Sequence, residues 1–144
     1  MCGRFTLTLD PAQLREAFPG LFVPADIKPR YNIAPSQPVA VIPNTGESKL
    51  DFFTWGLIPS WAKDFSIGNH LINARAETLA EKPAFRSSFR RRRCLILSDG
   101  FFEWKPDSSG TNKTPYFIRM KSGIPFSFAG LWDLWTPPDG SEIR

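Results

Sequence analysis

Ligands for a metal ion are scarce in this sequence of 144 residues, which has two cysteines and one histidine. Cys2 and Cys94 occur in such different contexts that we expect neither a disulfide between them nor a zinc site. Long apolar runs are also missing: none approaches the roughly 18 to 20 residues of a membrane span, and the N-terminus has no apolar signal-peptide segment. We therefore expect a cytoplasmic protein with reduced thiols, no metal or other cofactor and no membrane partner.

Acidic residues are outnumbered: 14 Asp and Glu stand against 18 Lys and Arg, a formal net charge of +4. The excess is concentrated in FRSSFRRRR, where no acid separates Arg86, Arg90, Arg91, Arg92 and Arg93. Such a patch attracts phosphate through Coulomb forces and counterion release. From charge alone, a solvated loop or strand edge is an equally good interpretation.

Short apolar runs separated by prolines predict the fold. TLDPAQLREAFP predicts one short helix, with Asp10 as its N-cap, Pro11 at its first position, and Leu14 and Phe18 on one face. Short strands are predicted over residues 39–42, 50–55, 94–97, 116–120 and 126–132, with a helix over residues 74–81 and a hairpin loop at DSSGTN. With 42% hydrophobic residues, the chain is predicted to form one α+β domain with a β-rich core.

An N-terminal cysteine would carry two nucleophiles on adjacent carbons. Cys2 directly follows Met1, whose removal leaves a free α-amine beside the thiol. These groups ionise near ~7.7 and ~8.5, so both are available at neutral pH. The amine condenses with aldehydes, and the thiol then closes on the imine carbon to a thiazolidine. The alternatives are attack of the thiol on an amide carbonyl, with the amine as base, and an incidental cysteine.

Polar side chains recur in two further stretches. LINARAET places Asn73, Arg75 and Glu77 at alternating positions, which turns them to one side if the segment is extended. A capping and salt-bridge cluster is the alternative. In DGFFEW, Glu103 lies between two aromatic residues and shares a strand face with Phe101. Burial there favours a role in proton transfer, whereas a half-exposed strand would leave a surface carboxylate.

Exposed aromatic residues and prolines beside basic residues are typical of surfaces that stack on unpaired bases. WGLIPSWAKD predicts that Trp55 lies in the core and that Trp61 is exposed, and NIAPSQ adds Pro35. His70 lies in a polar turn, where a catalytic role is disfavoured. Cys94 precedes an apolar run and is predicted to be a buried strand residue.

Eight stretches together resemble the SRAP family (SOS response-associated peptidase, the abasic-site processing proteins): MCGRF, RYNIAPSQ, WGLIPSWAKD, INARAET, KPAFRSSFRRRRC, DGFFEW, PYFIRM and FAGLW. They follow one another over nearly the whole chain. The resemblance implies a β-rich SRAP-type fold with a barrel-like mixed sheet and short flanking helices. We expect residues 1–144 to form a single, monomeric SRAP domain.

The resemblance also implies a function in the SOS-associated DNA damage response. An abasic site in single-stranded DNA opens to an aldehyde, and Cys2 is implied to condense with it to a covalent thiazolidine cross-link. Asn73 is implied to position the cysteine and the sugar, and Glu103 to assist proton transfer. The expected DNA-binding residues are phosphate ligands, a wedge and the first arginines of the basic patch: Arg4, Arg75, Pro35, Trp61, Arg86 and Arg90.

One departure from the family concerns a C-terminal segment. Family members continue into further strands and a catalytic histidine in a motif similar to HxRMP, whereas this sequence stops at Arg144, and His70 is not that histidine. Cys2 chemistry is expected to remain, while cross-link reversal and lyase activity stay open. The family is also described as a peptidase, because Met1 must be lost to expose Cys2. The alternative functions are an N-terminal-nucleophile thiol peptidase or amidohydrolase and a non-covalent module for single-stranded DNA.

Overall fold

Eight β-strands make up most of the regular structure in residues 3–144, the part of the chain that the structure, a computed structural model, describes. The strands are β1 (Arg4–Leu7), β2 (Arg30–Ile33), β3 (Pro38–Pro43), β4 (Asp51–Thr54), β5 (Arg93–Ser98), β6 (Gly100–Pro106), β7 (Lys113–Ile118) and β8 (Phe126–Leu131). The helices of this part are α1 (Pro11–Ala17), α2 (Arg86–Arg91) and two 3₁₀ helices, Phe65–His70 and Ala76–Thr78. None of these helices is long and apolar enough to cross a membrane.

The strands form two antiparallel sheets, with the orders β2-β1-β6-β7 and β4-β3-β5-β8. The expected β-rich core and short flanking helices are confirmed. The expected barrel-like mixed sheet is wrong, because all paired strands in these sheets run antiparallel and neither sheet closes on itself. Closure into a barrel would require a second partner for each edge strand.

Aromatic side chains join the two sheets. The ring of Phe5 on β1 contacts the ring of Phe128 on β8, with centroids 5.9 Å apart, and Phe101 on β6 contacts the same ring at 5.8 Å. Buried residues from both sheets, such as Ile33 and Leu97, form one apolar core. Removal of this surface from water is the main force that holds the sheets together.

A single residue, Asp99, separates β5 in one sheet from β6 in the other. Its carboxylate accepts hydrogen bonds from the hydroxyls of Thr6 and Thr8 and, at 2.7 Å, from the backbone N–H of Thr8. Thr8 lies 91 positions before Asp99 in the chain. These long-range bonds hold the N-terminal strand against the corner between the sheets.

The local signals at α1 are confirmed. The Asp10 side chain accepts a hydrogen bond from the Gln13 N–H at 2.9 Å, and the Gln13 side chain accepts one from the Asp10 N–H at 3.0 Å, which completes a capping box. Leu14 is fully buried, as its place on the apolar face predicts. The predicted strands over residues 39–42, 50–55, 94–97 and 126–132 correspond to β3, β4, β5 and β8, and DSSGTN connects β6 to β7.

Three local predictions are corrected by the structure. The helix expected over residues 74–81 is reduced to one 3₁₀ turn, since the backbone of Arg75 is extended (φ −83°, ψ 127°). A solvated loop or strand edge, one of the two interpretations of FRSSFRRRR, does not hold over residues 86–91, which form α2 before the segment enters β5. The strand expected over residues 116–120 begins at Lys113, because β7 pairs with β6 from the hairpin loop onwards.

Candidate functional site

The strand β1 brings the start of the described chain to β6. Arg4 pairs with Phe102 in this antiparallel ladder, so the same register continued by one residue places Gly3 beside Glu103. Cys2 directly precedes Gly3 in the sequence and lies outside the described residues. The pairing therefore leads the chain toward the acid that the sequence analysis singled out.

The environment of Glu103 lies between the two predicted alternatives. Alternation in β6 is as expected: Phe101 turns to the core, where it contacts the ring of Phe126, and Phe102 contacts the ring of Phe117 across the strand pair. Glu103 shares the face of Phe101 and is half-buried.

Arg4 is held by a residue to which no sequence signal pointed. Its Nη1 donates a hydrogen bond to Oδ1 of Asn32 at 2.8 Å. Asn32 lies on β2, 28 positions away, so the contact follows from the pairing of β1 with β2 and not from local spacing. A guanidinium has five N–H donors, and a bond to Asn32 that sets its direction is compatible with a further bond to phosphate.

Asn73 lies in a segment that is anchored to the end of β4. The indole N–H of Trp55 donates to the carbonyl of Ile72 at 2.8 Å, and the Trp55 ring lies 5.2 Å from the ring of Phe5 on β1. Trp55 packs against the core, as predicted. Asn73 is half-buried and lines an apolar cavity of about 310 Å³ that Phe5 and Trp55 also line.

The convergence expected for Asn73, Arg75 and Glu77 is wrong in part. The extended backbone of Arg75 continues the predicted alternation, but a 3₁₀ helix begins at Ala76 and ends the period of two before Glu77. Arg75 and Glu77 are exposed, whereas Asn73 faces the cavity. The segment thus places the amide of Asn73 at the cavity wall and Arg75 at the surface, and Glu77 does not continue their alternating pattern.

The loop that contains Pro35 is fixed against the Asn73 segment. Ser36 has a positive φ of 67°, its N–H donates to the Trp55 carbonyl at 2.8 Å, and its hydroxyl donates to Oδ1 of Asn69 at 3.0 Å. Pro35 itself is half-buried. Trp61 is 61% exposed, which confirms its predicted place at the surface.

The arginines of FRSSFRRRR have two different environments. Arg86, Arg90 and Arg91 project from α2 and are exposed, and none of them forms an ion pair within residues 3–144. Arg92, by contrast, forms an ion pair with the buried carboxylate of Asp133. The exposed arginines constitute a basic surface, and Arg92 contributes to the structure beneath it.

Cys94 and His70 are the remaining thiol and imidazole among the described residues. Cys94 is only 7% exposed, as predicted, and burial raises the pKa of its thiol to about 12, so it remains protonated at neutral pH. His70 ends the first 3₁₀ helix and is exposed. Among residues 3–144, no three His, Cys, Asp or Glu side chains are grouped to hold a metal ion.

The described residues include an acid on β6, an arginine at the start of β1, an amide at the cavity wall and exposed arginines on α2. A half-buried carboxyl group can transfer protons, an amide can donate and accept hydrogen bonds, and arginine binds phosphate through its planar fork. Exposed tryptophan offers a face on which a base can stack. Such a set suits covalent or acid–base chemistry on a phosphate-bearing polymer.

Known proteins of similar sequence and structure cover nearly the whole chain. Abasic site processing protein YoqW of Bacillus subtilis (strain 168) is 47% identical over 99% of this chain and 65% of its own length. Abasic site processing protein YedK of Escherichia coli (strain K12) is 35% identical over 91% of this chain and 59% of its own length. A crystal structure of a protein from Bacteroides thetaiotaomicron matches with a TM-score of 0.85 and 28% identity, over 99% of this chain and 65% of that chain.

The chain thus spans about 65% of the length of YoqW and of the Bacteroides protein. The family model described as "SOS response associated peptidase (SRAP)" matches residues 1–144. The family expected from the eight sequence stretches is therefore confirmed. The chain belongs to the SOS response-associated peptidase (SRAP) family.

Proposed function

We propose that this chain processes abasic sites: it binds them in single-stranded DNA and forms a covalent cross-link through Cys2 after Met1 is removed. The names of its relatives support a role in abasic-site processing. The observation that carries the proposal is the register of β1 with β6, in which Arg4 pairs with Phe102, so that the same register continued by one residue directs Gly3, the residue after Cys2, toward Glu103. The proposal pairs the nucleophile that precedes Gly3 in the sequence with this acid.

The proposed reaction consumes an aldehyde and releases one water molecule. The α-amine of Cys2 adds to the aldehyde carbon of the opened abasic sugar and gives a carbinolamine. Glu103 donates a proton to the carbinolamine hydroxyl, which leaves as water, and the nitrogen then returns its N–H proton to the Glu103 carboxylate, so that a neutral imine remains. The thiol then adds to the imine carbon, its proton passes to the nitrogen, and a five-membered thiazolidine joins protein to DNA. Asn73 orients the sugar from the cavity wall.

The DNA in this proposal follows the exposed arginines and aromatic residues. Arg4 and Arg75 bind phosphates near the reacting sugar, and Arg86 and Arg90 bind phosphates farther along the strand. Pro35 and Trp61 form the wedge: their side chains stack on unpaired bases or separate a junction, and they distinguish single strands from duplex.

A cross-linking assay tests the proposed function. Protein with Cys2 as its first residue is incubated with single-stranded DNA that contains an abasic site, and the adduct is resolved on a denaturing gel after heating. We expect a heat-stable adduct from the native sequence and none from Cys2→Ala. Cys94→Ala is the matched control, because that thiol is buried and protonated. An equally abundant adduct from Cys2→Ala would assign the chemistry to another residue.

The word peptidase in the family description favours a second activity, the removal of Met1 by the chain itself. In this second activity the Cys2 thiol attacks the carbonyl carbon of the Met1–Cys2 peptide bond. Water then hydrolyses the resulting thioester and releases methionine. Synthesis in a reconstituted translation system without methionine aminopeptidase tests it by mass spectrometry. Loss of Met1 from the native sequence but not from Cys2→Ala is the expected result, and retention of Met1 in both proteins would contradict it.

A further inference from the structure

The turn that carries Trp61 is short and well defined. The N–H of Ala62 donates to the carbonyl of Pro59 at 2.8 Å, which closes a four-residue turn with Ser60 and Trp61 at its centre. Pro59 is fully buried, whereas the Trp61 side chain is 61% exposed. An aromatic ring that is exposed on a fixed turn loses less conformational entropy when it binds a ligand than one on a mobile loop.

Both neighbours of Trp61 are held by the segment that follows β8. The backbone N–H of Ser60 donates to Oδ2 of Asp133 at 3.1 Å, and the indole N–H of Trp135 donates to the carbonyl of Ala62 at 2.8 Å. Asp133 and Trp135 are each 6% exposed. One buried contact therefore lies on each side of the exposed tryptophan.

Asp133 also connects this turn to the basic helix. Its Oδ1 accepts a hydrogen bond from Arg92, the residue that directly follows α2, while its Oδ2 accepts from Ser60. One buried carboxylate thus links the Trp61 turn to the C-terminal end of α2. Because a buried charge is costly without such partners, these bonds join the turn beneath Trp61 to the end of α2.

We propose that Asp133 and Trp135 are positioning residues that hold Trp61 and the α2 arginines as one surface, on which an unpaired base stacks while its flanking phosphates bind arginine. This inference rests on the proposed function for the identity of the ligand. It gives a physical reason for the proposed preference for single strands: the Trp61 ring is held in a fixed direction before DNA binds. A paired base offers no open face to such a ring.

Two substitutions each remove one hydrogen bond that holds the Trp61 turn and leave the other bond in place. Trp135→Phe removes the indole N–H and keeps a buried aromatic ring. Ser60→Pro removes the N–H that Asp133 accepts, and proline is favoured at the second position of a turn. Trp132→Phe is the matched control: the Trp132 indole N–H donates to Asn44, at 3.2 Å, and not to the Trp61 turn, and phenylalanine keeps an aromatic ring beside Arg92.

The measurement is the ratio of affinities for an undamaged single strand and the matching duplex at one salt concentration. We expect Trp135→Phe and Ser60→Pro to lower this ratio about three- to tenfold, the range set by the cost of immobilising one side chain on binding. Trp132→Phe should keep the native ratio. In a chain that already carries Trp61→Ala, Trp135→Phe should cause no further loss, since both changes then act through the same ring.

Several results would overturn this inference. A native affinity ratio in Trp135→Phe and Ser60→Pro would show that the contacts of Asp133 and Trp135 do not affect DNA binding. An unchanged ratio in Trp61→Ala would show that the Trp61 ring does not bind the base. Equal losses with and without Trp61 would assign the effect to general stability, which melting curves of the same proteins would display. The assay uses DNA without an aldehyde, so a failure of Cys2 cross-linking would contradict the proposed reaction and leave this test intact.

Discussion

Replacing Gly56 with alanine is expected to disturb the segment that presents Asn73. Gly56 follows β4 and has φ +132°, in the region that side chains rarely adopt. A Cβ atom at this position would lie 2.6 Å from the carbonyl oxygen of Gly68. Because the contact is with backbone, no change of rotamer can relieve it. The segments that contain Gly56 and Gly68 would have to move apart. They meet where the N–H of Leu57 donates a hydrogen bond to the carbonyl of Leu71, two residues before Asn73.

The expected magnitude has two parts. A side chain forced into this region of φ costs about 1–3 kcal/mol, and forcing a methyl group into a packed contact costs about 1–3 kcal/mol more. Gly46→Ala separates the two, since Gly46 also has a positive φ, +93°, but has nothing within 4 Å of its Cβ position. The extra cost at Gly56 should lower the melting temperature by about 2–4 °C for each kcal/mol beyond the effect of Gly46→Ala.

Thermal melting of Gly56→Ala and Gly46→Ala, followed by circular dichroism, provides the comparison. The cross-linking rate at a temperature where both variants are folded adds a functional measure: Gly56→Ala should react more slowly because Asn73 is displaced, and Gly46→Ala should react at the native rate. Equal melting temperatures for the two variants would refute the close approach of Gly56 to Gly68. An unchanged cross-linking rate in a destabilised Gly56→Ala would separate Asn73 from the reaction.

Four further predictions concern chemistry, DNA binding and the core. Glu103→Gln should slow cross-linking about 10²-fold in single-turnover assays with little change in DNA affinity, since it keeps the shape but loses the exchangeable proton; an unaltered rate would leave Glu103 with a structural role only. Arg75→Ala should flatten the slope of log affinity against log salt by about 0.7 for one lost phosphate contact, whereas Cys2→Ala should keep the native slope. Burial raises the pKa of the Cys94 thiol from 9.0 to about 12. Below pH 9 this thiol is protonated in both states and adds no pH dependence, but as the pH rises from 9 to 12 the unfolded chain alone ionises, so the free energy of unfolding should fall more steeply in the native protein than in Cys94→Ala. Gly130→Ala would place a Cβ 2.7 Å from the Cys94 sulfur and should cost about 1–3 kcal/mol in urea unfolding, of which Cys94→Ala should recover a part; strictly additive losses would contradict the contact.

Features that depend on neighbouring residues were predictable from the sequence. The capping box of α1 needs only Asp10 and Gln13, three positions apart, so its signal is local. The apolar run after Cys94 indicated a buried strand, and the polar flanks of Trp61 indicated an exposed ring, and the structure confirms both. The predicted chemistry of Cys2 likewise uses only local information, because it depends on two groups of one residue after removal of Met1.

The strands β1 and β2 were not predictable in this way. Each is stabilised by partners far along the chain, β1 by β6 and β2 by β1, and not by a pattern within its own residues. The bonds of Asp99 to Thr6 and Thr8 show the same dependence over more than 90 positions. The segments of β1 and β2 therefore become strands because of the strands beside which they lie in the sheet.

The sequence by itself determined the family and indicated the candidate nucleophile Cys2 and the candidate acid Glu103, since each is read from residue type and spacing. Only the tertiary structure decided that Arg4 is oriented by Asn32, that Glu77 is separated from Asn73, and that Asp133 joins the Trp61 turn to Arg92. The physical reason is that hydrogen bonds between distant segments depend on how the whole core packs. A buried carboxylate such as Asp133 acquires its partners only when the two sheets and α2 have come together.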